Sequence, residues 1–103
     1  NITLESILTP AKQSRKTKVV CTIGPSCWSK EMLVQLIDAG MNVARLNFSH
    51  GDHKVHANTL ANIRAAASEK HANVAIMLDT KGPEIRTGFL EDSKPIELKK
   101  GAK

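Results

Sequence analysis

The stretch of sequence that decides the fold is Asn42-Val43-Ala44-Arg45-Leu46-Asn47-Phe48-Ser49. From Val43 onwards, neighbouring residues alternate between two sides, which is the pattern of a β-strand whose faces differ in polarity. The members of the two faces are Arg45, Asn47 and Ser49 on one side and Ala44, Leu46 and Phe48 on the other. The stretch therefore predicts a strand with one polar face.

Two apolar runs lie on either side of this strand in the sequence. Residues 19–23 form a β-branched run that stops at Gly24-Pro25, and residues 74–78 form an all-apolar run that stops at the polar segment 79–83. Short runs of this kind, bounded by glycine and proline, predict buried strands that open into loops. We therefore expect one strand before and one strand after residues 42–49.

Helical patterns fill both intervals between the strands. The first begins at the capping residue Ser29 and ends at Gly40, and the second begins at the capping residue Asp52 and runs to about Lys70. The first carries an apolar stripe at helical spacing, made of Met32, Leu33, Leu36 and Ile37. In the second, the residues that recur along one side are His56, Leu60, Ile63 and Ala67. The order strand, helix, strand, helix, strand predicts parallel strands joined by right-handed crossovers, with which both barrels and doubly wound sheets begin.

The two ends of the chain follow different patterns. Residues 4–8 show a short helical pattern that Pro10 ends and a basic polar stretch follows, so we expect an arm there. After Gly88 the sequence passes through Pro95 into residues 96–99, whose alternation is typical of antiparallel sheet. We therefore divide the chain into an arm at 1–17, an α/β body at 18–88 and the start of another domain at 89–103.

Charge and composition limit the classes of partner. The 103 residues carry a net charge of +5, but residues 1–18 and 94–103 carry +3 each and the middle carries −1. Tyrosine is absent and aromatic residues make up 3%, so stacking surfaces for bases are missing and we expect no nucleic-acid partner.

No apolar run reaches the ~20 residues of a membrane span, and Cys21 and Cys27 match no metal or disulfide pattern. These features favour a soluble, cytoplasmic protein.

Polar residues gather where the predicted strands end. Ser26 follows the first strand, residues 45–50 end the second, and residues 79–86 follow the third. Ligands bind at this carboxyl edge in both parallel architectures. Because an arginine on a strand is costly to bury without a partner, Arg45 should face either Asp79 or a phosphate-bearing ligand.

Oxygen atoms are concentrated at the same edge, in the residues Asn47, Ser49, Asp79 and Thr80. Such a set suits a hard cation rather than zinc or copper. A cation beside an arginine is the arrangement that phosphoryl transfer uses, because positioned positive charge stabilises its transition state. The residues thus favour phosphoryl-transfer chemistry.

Three histidines at intervals of three, His50, His53 and His56, form an alternative metal site. The competing interpretation places His56 in the packed stripe, His53 in solvent and only His50 at the ligand edge. The sequence has no GxGxxG motif and no Walker-type lysine loop, so nucleotide binding through a Rossmann or P-loop route is disfavoured.

Three longer stretches carry a resemblance to a known family. They are Cys21-Thr22-Ile23-Gly24-Pro25-Ser26, Gly40-Met41-Asn42-Val43-Ala44-Arg45-Leu46-Asn47-Phe48-Ser49-His50-Gly51 and Leu78-Asp79-Thr80-Lys81-Gly82-Pro83-Glu84-Ile85-Arg86-Thr87-Gly88. In this order they resemble the pyruvate kinase family. The resemblance spans residues 18–88, which is most of the chain.

The resemblance implies an α/β fold made of the first three β/α units of a TIM (β/α)8 barrel, followed by the first strand of an inserted β-rich lid domain. It also implies transfer of the phosphoryl group of phosphoenolpyruvate to ADP, giving pyruvate and ATP, by a homotetramer. Because a complete barrel takes about 250 residues, we expect the chain to be a piece of a longer protein and to be inactive alone.

The resemblance also implies roles for single residues. Arg45 would be the catalytic and substrate-binding residue that contacts the phosphoryl group. A potassium ion would be held by Asn47, Ser49, Asp79 and the backbone carbonyl of Thr80. The nucleotide would be met by Asn47, Phe48, Ser49, His50 and Arg86.

Two further features follow from the same resemblance. Glu84 lies where potassium-dependent members carry a glutamate, so potassium is the expected monovalent ion. Magnesium is also expected, but its acidic ligands and the catalytic lysine belong to later strands of the barrel, outside this chain.

A small basic binding module without chemistry is the alternative function. The two hypotheses differ in what they predict beyond Lys103, because only the kinase requires the missing acidic pair and lysine there.

Overall fold

The structure is a computed structural model that describes residues 2–9 and 15–102. Three parallel strands alternate with two long helices in the order that the sequence predicts. The elements are α1 (Leu4–Leu8), β1 (Val20–Thr22), α2 (Lys30–Ala39), β2 (Val43–Asn47), α3 (His53–Glu69), β3 (Ala75–Asp79) and a short 3-10 helix (Glu91–Ser93). No helix in these described ranges is both long and apolar enough to cross a membrane.

The first helix, α1, occupies the five residues that show the helical pattern. The hydroxyl of Thr3 accepts a hydrogen bond from the backbone N–H of Ser6, and the Ser6 hydroxyl accepts one from the N–H of Thr3, which together form a capping box. All of its side chains are exposed. The predicted stop at Pro10 and residues 11–14 of the basic stretch after it lie outside the described residues.

The three strands form one sheet in which β2 lies in the middle and both of its neighbours run parallel to it. The register places Thr22 of β1 beside Arg45 of β2, and Met77 of β3 on the other side of Arg45. Asn47 and Asp79 are partners at the carboxyl ends of β2 and β3. Because partners in register point to the same side of a sheet, these five residues belong to one face.

Both long helices begin at their predicted capping residues, α2 ends at Gly40 as predicted, and α3 ends at Glu69, next to the predicted Lys70. The Ser29 hydroxyl accepts a bond from Met32 N–H at the start of α2, and the Asp52 carboxylate accepts one from Val55 N–H at the start of α3. Gly40 ends α2 with a φ of +113°, a left-handed conformation that glycine adopts without a steric penalty.

The hydrophobic core lies between these helices and one face of the sheet. Its buried members are Ile23, Leu33, Met41, Ala44, Leu46, Ile63 and Ala66. Because Ala44 and Leu46 share one face of β2, the face that carries Arg45 points away from this core. Both cysteines are free thiols, half-buried against the core.

The buried stripe of α3 differs from the predicted one. Ile63 is 1% exposed as expected, but the other buried residues of the helix are Thr59 and Ala66. The predicted members His56, Leu60 and Ala67 are only half-buried at the margin of this face. The prediction was wrong because it did not count threonine as a core residue. Thr59 is buried with its hydroxyl donating to the Val55 carbonyl at 2.9 Å, which satisfies the polar group.

Asn42 joins the chain segments at the amino edge of the sheet. Its Oδ1 accepts hydrogen bonds from the Arg15 guanidinium at 2.6 Å and from Val19 N–H at 2.9 Å. Its own N–H donates to the Val19 carbonyl, and its carbonyl accepts from Ala75 N–H. Arg15 also donates to the carbonyl of Gly40 at the end of α2. One residue thus connects the segment before β1 with the beginnings of all three strands.

The segment after β3 is exposed and has little regular structure. The short 3-10 helix is its one helical turn within residues 80–102, and residues 94–99 are not in a strand. A lone alternating segment becomes a strand only when a neighbouring strand accepts its hydrogen bonds, so the predicted lid strand stays a prediction. The third β/α unit is likewise represented by its strand β3 alone within the described residues.

Candidate functional site

Arg45 lies on the face of the sheet that the helices leave open. Its Nε and one terminal nitrogen both donate to Oδ2 of Asp79, at 2.9 and 2.6 Å. The Arg45 side chain is 29% exposed and that of Asp79 is 46% exposed. Asp79 is thus the protein partner that the sequence predicts for Arg45, and the ion pair remains accessible to a ligand.

Thr22 holds the other side of the arginine and was not named as a site residue. Its hydroxyl accepts a hydrogen bond from the second terminal nitrogen of Arg45 at 2.9 Å. The guanidinium is therefore fixed by one residue from each neighbouring strand. The signal that could have revealed Thr22 is the parallel register, which places it directly beside Arg45, but register cannot be read from one strand alone.

The oxygen donors lie where β2 and β3 end side by side. Asn47 and Asp79 are register partners, and the backbone N–H of Phe48 donates to the Asp79 carbonyl at 2.9 Å. The Asn47 side-chain oxygen accepts from Ser49 N–H at 3.1 Å, which turns the chain back after the strand. The structure therefore brings Asn47, Ser49 and Asp79 to one edge, and Thr80 follows directly.

An aromatic and histidine cluster supports the loop that follows β2. The Phe48 ring stacks on the His56 ring with centroids 4.2 Å apart and an angle of 17°, and it meets the His53 ring edge-on at 6.0 Å. The ring nitrogen Nε2 of His56 lies 2.7 Å from the carbonyl oxygen of His50. His50 itself is exposed at the carboxyl edge.

The alternative histidine metal site finds no support in this geometry. Within residues 2–9 and 15–102, no group of three or more His, Cys, Asp or Glu side chains could hold a metal ion. His53 is exposed as expected, and His56 uses its ring for stacking and hydrogen bonding. A cation site made of amide, hydroxyl and backbone oxygens with one carboxylate is of a different kind and is not affected by this result.

Two predicted residues lie in the exposed segment after β3. Arg86 donates to both carboxylate oxygens of Glu84, at 2.7 and 3.0 Å, and Lys81 adds a weaker ion pair at 3.6 Å. The hydrogen bond from Arg86 lowers the pKa of Glu84 below its ordinary value, and the positive charges of Arg86 and Lys81 add to the effect. The hydrogen bonds and ion pairs of Arg86 with described residues are thus local, and none of them joins it to the loop after β2.

Ser26, the polar residue that follows β1, is exposed in the turn at 25–27. The structure therefore concentrates the fixed polar contacts at the ends of β2 and β3. This edge holds the positive guanidinium of Arg45 beside several neutral and anionic oxygen atoms. An oxyanion and a hard cation can both be accommodated at such an edge.

Comparison with known proteins identifies the family. A sequence model described as the barrel domain of pyruvate kinase matches residues 14–103. The chain belongs to the pyruvate kinase family. This stretch is accordingly part of a pyruvate kinase barrel domain, an α/β fold with parallel strands.

Individual pyruvate kinases agree closely with the chain. That of Eimeria tenella is 60% identical over 89 residues, which cover 85% of this chain and 17% of the relative. The cytosolic isozyme of Glycine max is 55% identical over 108 residues, which cover 98% of this chain and 20% of the relative. The chain therefore spans at most about a fifth of the length of the curated relatives named here.

Solved pyruvate kinase structures agree in fold. The crystal structure of Cryptosporidium parvum pyruvate kinase superimposes with a TM-score of 0.75 at 67% sequence identity. The superposition covers 84% of this chain and 18% of that one. The fold of this chain, with its parallel strands β1, β2 and β3, is therefore similar to that of a solved pyruvate kinase. Arg45 and its two partners, Thr22 and Asp79, lie on these three strands.

Proposed function

We propose that the protein to which this chain belongs is a glycolytic pyruvate kinase, which transfers the phosphoryl group of phosphoenolpyruvate to ADP and yields pyruvate and ATP. The observation that carries the proposal is Arg45, held by Asp79 and Thr22 on an accessible sheet face in a chain of this family. An arginine fixed on two sides loses little conformational entropy when it meets an anion.

Arg45 acts on the phosphoryl group through its charge. The guanidinium stays protonated at every physiological pH, and its position is set before the substrate arrives. The phosphoryl group spreads negative charge over its oxygens as it moves, so a preorganised cation lowers the barrier more than one that must reorganise. Asp79 and Thr22 contribute by keeping the guanidinium in place.

The oxygen donors at the carboxyl edge fit a potassium site. Asn47 and Asp79 are neighbours in register, and Ser49 is turned back towards Asn47 by a hydrogen bond. The donor set is one carboxylate, an amide oxygen, a hydroxyl and the Thr80 carbonyl, which suits a hard cation of low charge. Bound there, potassium would add positive charge close to the phosphoryl group.

The nucleotide is assigned to the loop after β2 together with Arg86. Asn47, Phe48, Ser49 and His50 lie on this loop or at its start, and His50 is exposed. For Arg86 the proposal requires the guanidinium to leave Glu84 or to carry that carboxylate with it. Magnesium is required by the same chemistry, and we assign its ligands to parts of the protein outside this chain.

The remaining features of the proposal concern the whole protein. We assign residues 18–88 to the first three β/α units of an eightfold barrel and residues 89–103 to the start of an inserted lid domain. We further propose a cytoplasmic homotetramer, with neither nucleic acid nor membrane as a partner. The name of the Glycine max relative, a cytosolic isozyme, supports the cellular location.

The reaction is tested with the intact protein in an assay that couples pyruvate formation to lactate dehydrogenase. We expect turnover that requires phosphoenolpyruvate, ADP and magnesium together and that rises when potassium is added. Absence of pyruvate formation under all of these conditions would contradict the proposed function.

The potassium site is tested with Asn47→Ala in the intact protein. We expect the potassium concentration for half-maximal activation to rise about tenfold or more, in line with the cost of disturbing metal-site residues. Asn58→Ala is the matched control, because Asn58 is an exposed asparagine of α3. Equal potassium activation in the two variants would remove Asn47 from the site.

A further inference from the structure

The His56 side chain connects α3 to the loop that follows β2. Its Nε2 lies 2.7 Å from the His50 carbonyl oxygen, six residues earlier in the chain. Because a carbonyl can only accept, Nε2 carries the proton in this contact and donates it. The same ring stacks on Phe48 at 4.2 Å, so His56 touches the loop at two points.

Gly51 shows how closely the loop approaches this ring. Its φ is +76°, and a Cβ placed there would lie 3.3 Å from Nε2 of His56. A side chain at this position would therefore be strained by the backbone conformation and crowded by the imidazole. The loop turns tightly over the ring, and its shape depends on both residues.

Packing in the core does not account for the position of His56. The interior side of α3 is already occupied by Thr59, Ile63 and Ala66, while His56 lies half-buried at its margin. An apolar ring would stack on Phe48 as well as an imidazole does. The hydrogen bond to the His50 carbonyl is the contact of His56 described here that an apolar ring could not make.

We propose that His56 is a positioning residue that fixes the loop of residues 48–51 for nucleotide and cation binding. The inference rests on the proposed function, because the loop residues are those assigned to the nucleotide and to potassium. It goes further by naming a residue outside the site as the determinant of loop geometry. His56 acts by donating to the His50 carbonyl, which holds the loop against α3.

The hydrogen bond has a selective effect on the two substrates. Arg45 is fixed by Asp79 and Thr22, not by the loop, so the phosphoenolpyruvate end of the site does not depend on His56. At saturating potassium, loss of the hydrogen bond should therefore raise the KM for ADP while leaving the KM for phosphoenolpyruvate unchanged. The half-activating potassium concentration should also rise.

Two substitutions of His56 in the intact protein separate its contacts. His56→Phe keeps a ring for stacking but removes the donor, and His56→Gln keeps a donor but removes the ring. For His56→Phe we expect the KM for ADP and the half-activating potassium concentration each to rise about three- to tenfold, the usual worth of one hydrogen bond. For His56→Gln we expect values within about twofold of the parent, because the donor is retained.

The matched control is His53→Phe, since His53 touches the same Phe48 ring edge-on and is exposed. This control should leave both constants unchanged. If His53→Phe and His56→Phe behave alike, or if His56→Phe shifts the KM for both substrates together with the thermal midpoint, the positioning role is overturned. Loss of ADP binding in His56→Gln but not in His56→Phe would also overturn it.

Amide hydrogen exchange of residues 48–51 gives a readout that does not depend on activity. We expect faster exchange in His56→Phe than in the parent, and parent-like exchange in His56→Gln. Unchanged exchange in both variants would refute the inference even if the enzyme is active. An inactive parent with faster exchange in His56→Phe would instead contradict only the proposed function.

Discussion

Arg45 is a permanent positive charge on the open face of a small sheet, and its surroundings explain why it is tolerated there. Asp79 on one neighbouring strand neutralises the charge of Arg45. Thr22 on the other neighbouring strand accepts a hydrogen bond from the second terminal nitrogen of the guanidinium. The pair stays accessible, so the arginine is restrained without being removed from solvent.

A conservative replacement should reveal the importance of this geometry. Arg45→Lys in the intact protein keeps the charge but cannot reach Asp79 and Thr22 with a planar fork. We expect kcat/KM for phosphoenolpyruvate to fall by about 10²- to 10³-fold, the range seen when one preorganised donor is lost. Arg64→Lys, at an exposed position on α3, is the control and should retain full activity. A fall of less than tenfold for Arg45→Lys would argue against direct contact with the phosphoryl group.

For single residues, the sequence predicts some of the contact partners and misses others. Asp79 could be foreseen because it is the acidic residue at the end of the adjoining apolar run, and Arg45 needs a carboxylate. Thr22 could not be foreseen, since a threonine in a β-branched run is indistinguishable from any other strand residue until the register is known. The hydrogen bond from His56 to the His50 carbonyl could not be predicted either. Every residue has a backbone carbonyl, so the residue type does not indicate which carbonyl accepts a side-chain hydrogen bond.

Helices α2 and α3 show what local signals can predict at the scale of an element. Their capping residues Ser29, Gly40 and Asp52 set the ends correctly, because each satisfies or terminates backbone hydrogen bonding by itself. The buried face of α3 could not be assigned from apolar spacing, because its centre includes Thr59. Which side of a helix faces the core depends on the partner, and that information lies elsewhere in the chain.

The corrected face of α3 can be tested by comparing two apolar residues. Ile63 is 1% exposed, whereas Leu60 is half-buried. We expect Ile63→Ala to lower the free energy of unfolding by about 2–5 kcal/mol, because it leaves a cavity in the core. Leu60→Ala should cost roughly 1–2 kcal/mol. Chemical denaturation followed by circular dichroism measures both free energies. An equal cost would show that Leu60 is as important to the core as Ile63, as the stripe predicted from the sequence implies.

An ion pair between the two helices predicts a dependence of stability on pH. Lys30 of α2 lies 2.7 Å from Glu69 of α3. Their hydrogen bond, with the opposite charges, lowers the pKa of Glu69 from its usual 4.5 and raises that of Lys30 from its usual 10.5. A lowered carboxyl pKa means that the stabilisation is complete above about pH 4.5 and disappears as the pH falls through the lowered pKa. At the alkaline end, it is complete below about pH 10.5 and is lost as the pH rises through the raised pKa.

Glu69→Gln tests this dependence in the intact protein. Its thermal midpoint should lie slightly below that of the parent at pH 7, and the difference should vanish as the pH falls well below 4.5. The effect should be small and should shrink in high salt, because both side chains are about half exposed. Glu5→Gln in the exposed helix α1 is the control. A difference that persists in strong acid would exclude the ion pair as its cause.

Across the described residues taken together, an apolar strand is exposed to solvent. Ile76, Met77 and Leu78 of β3 are 38%, 43% and 56% exposed, although they form an all-apolar run. The sequence predicts this strand as buried, and its location was correct to within one residue. Its side chains are exposed because, within the described residues, no α-helix follows β3 to pack over its faces, and no strand pairs with its outer edge.

We expect the 103-residue chain, prepared by itself, to associate and to lack activity. An exposed apolar edge strand is a template for pairing with another chain. We also assign the magnesium ligands of the proposed enzyme to parts of the protein outside this chain. Size-exclusion chromatography with light scattering should show species larger than a monomer, and the coupled assay should show no pyruvate formation. A monodisperse monomer would show that the edge is protected in a way that the strand pattern does not reveal.

Because of the hydrogen bonds around Asn42, we expect the amino ends of the strands to tolerate substitution less well than their carboxyl ends. This residue ties the segment before β1 to the starts of all three strands, far from the loop after β2. Laboratory evolution of ligand preference could therefore randomise positions 47–50 and still recover folded protein. A library at position 42 should yield far fewer folded members, and comparable recovery from both libraries would show that strand alignment does not depend on this asparagine.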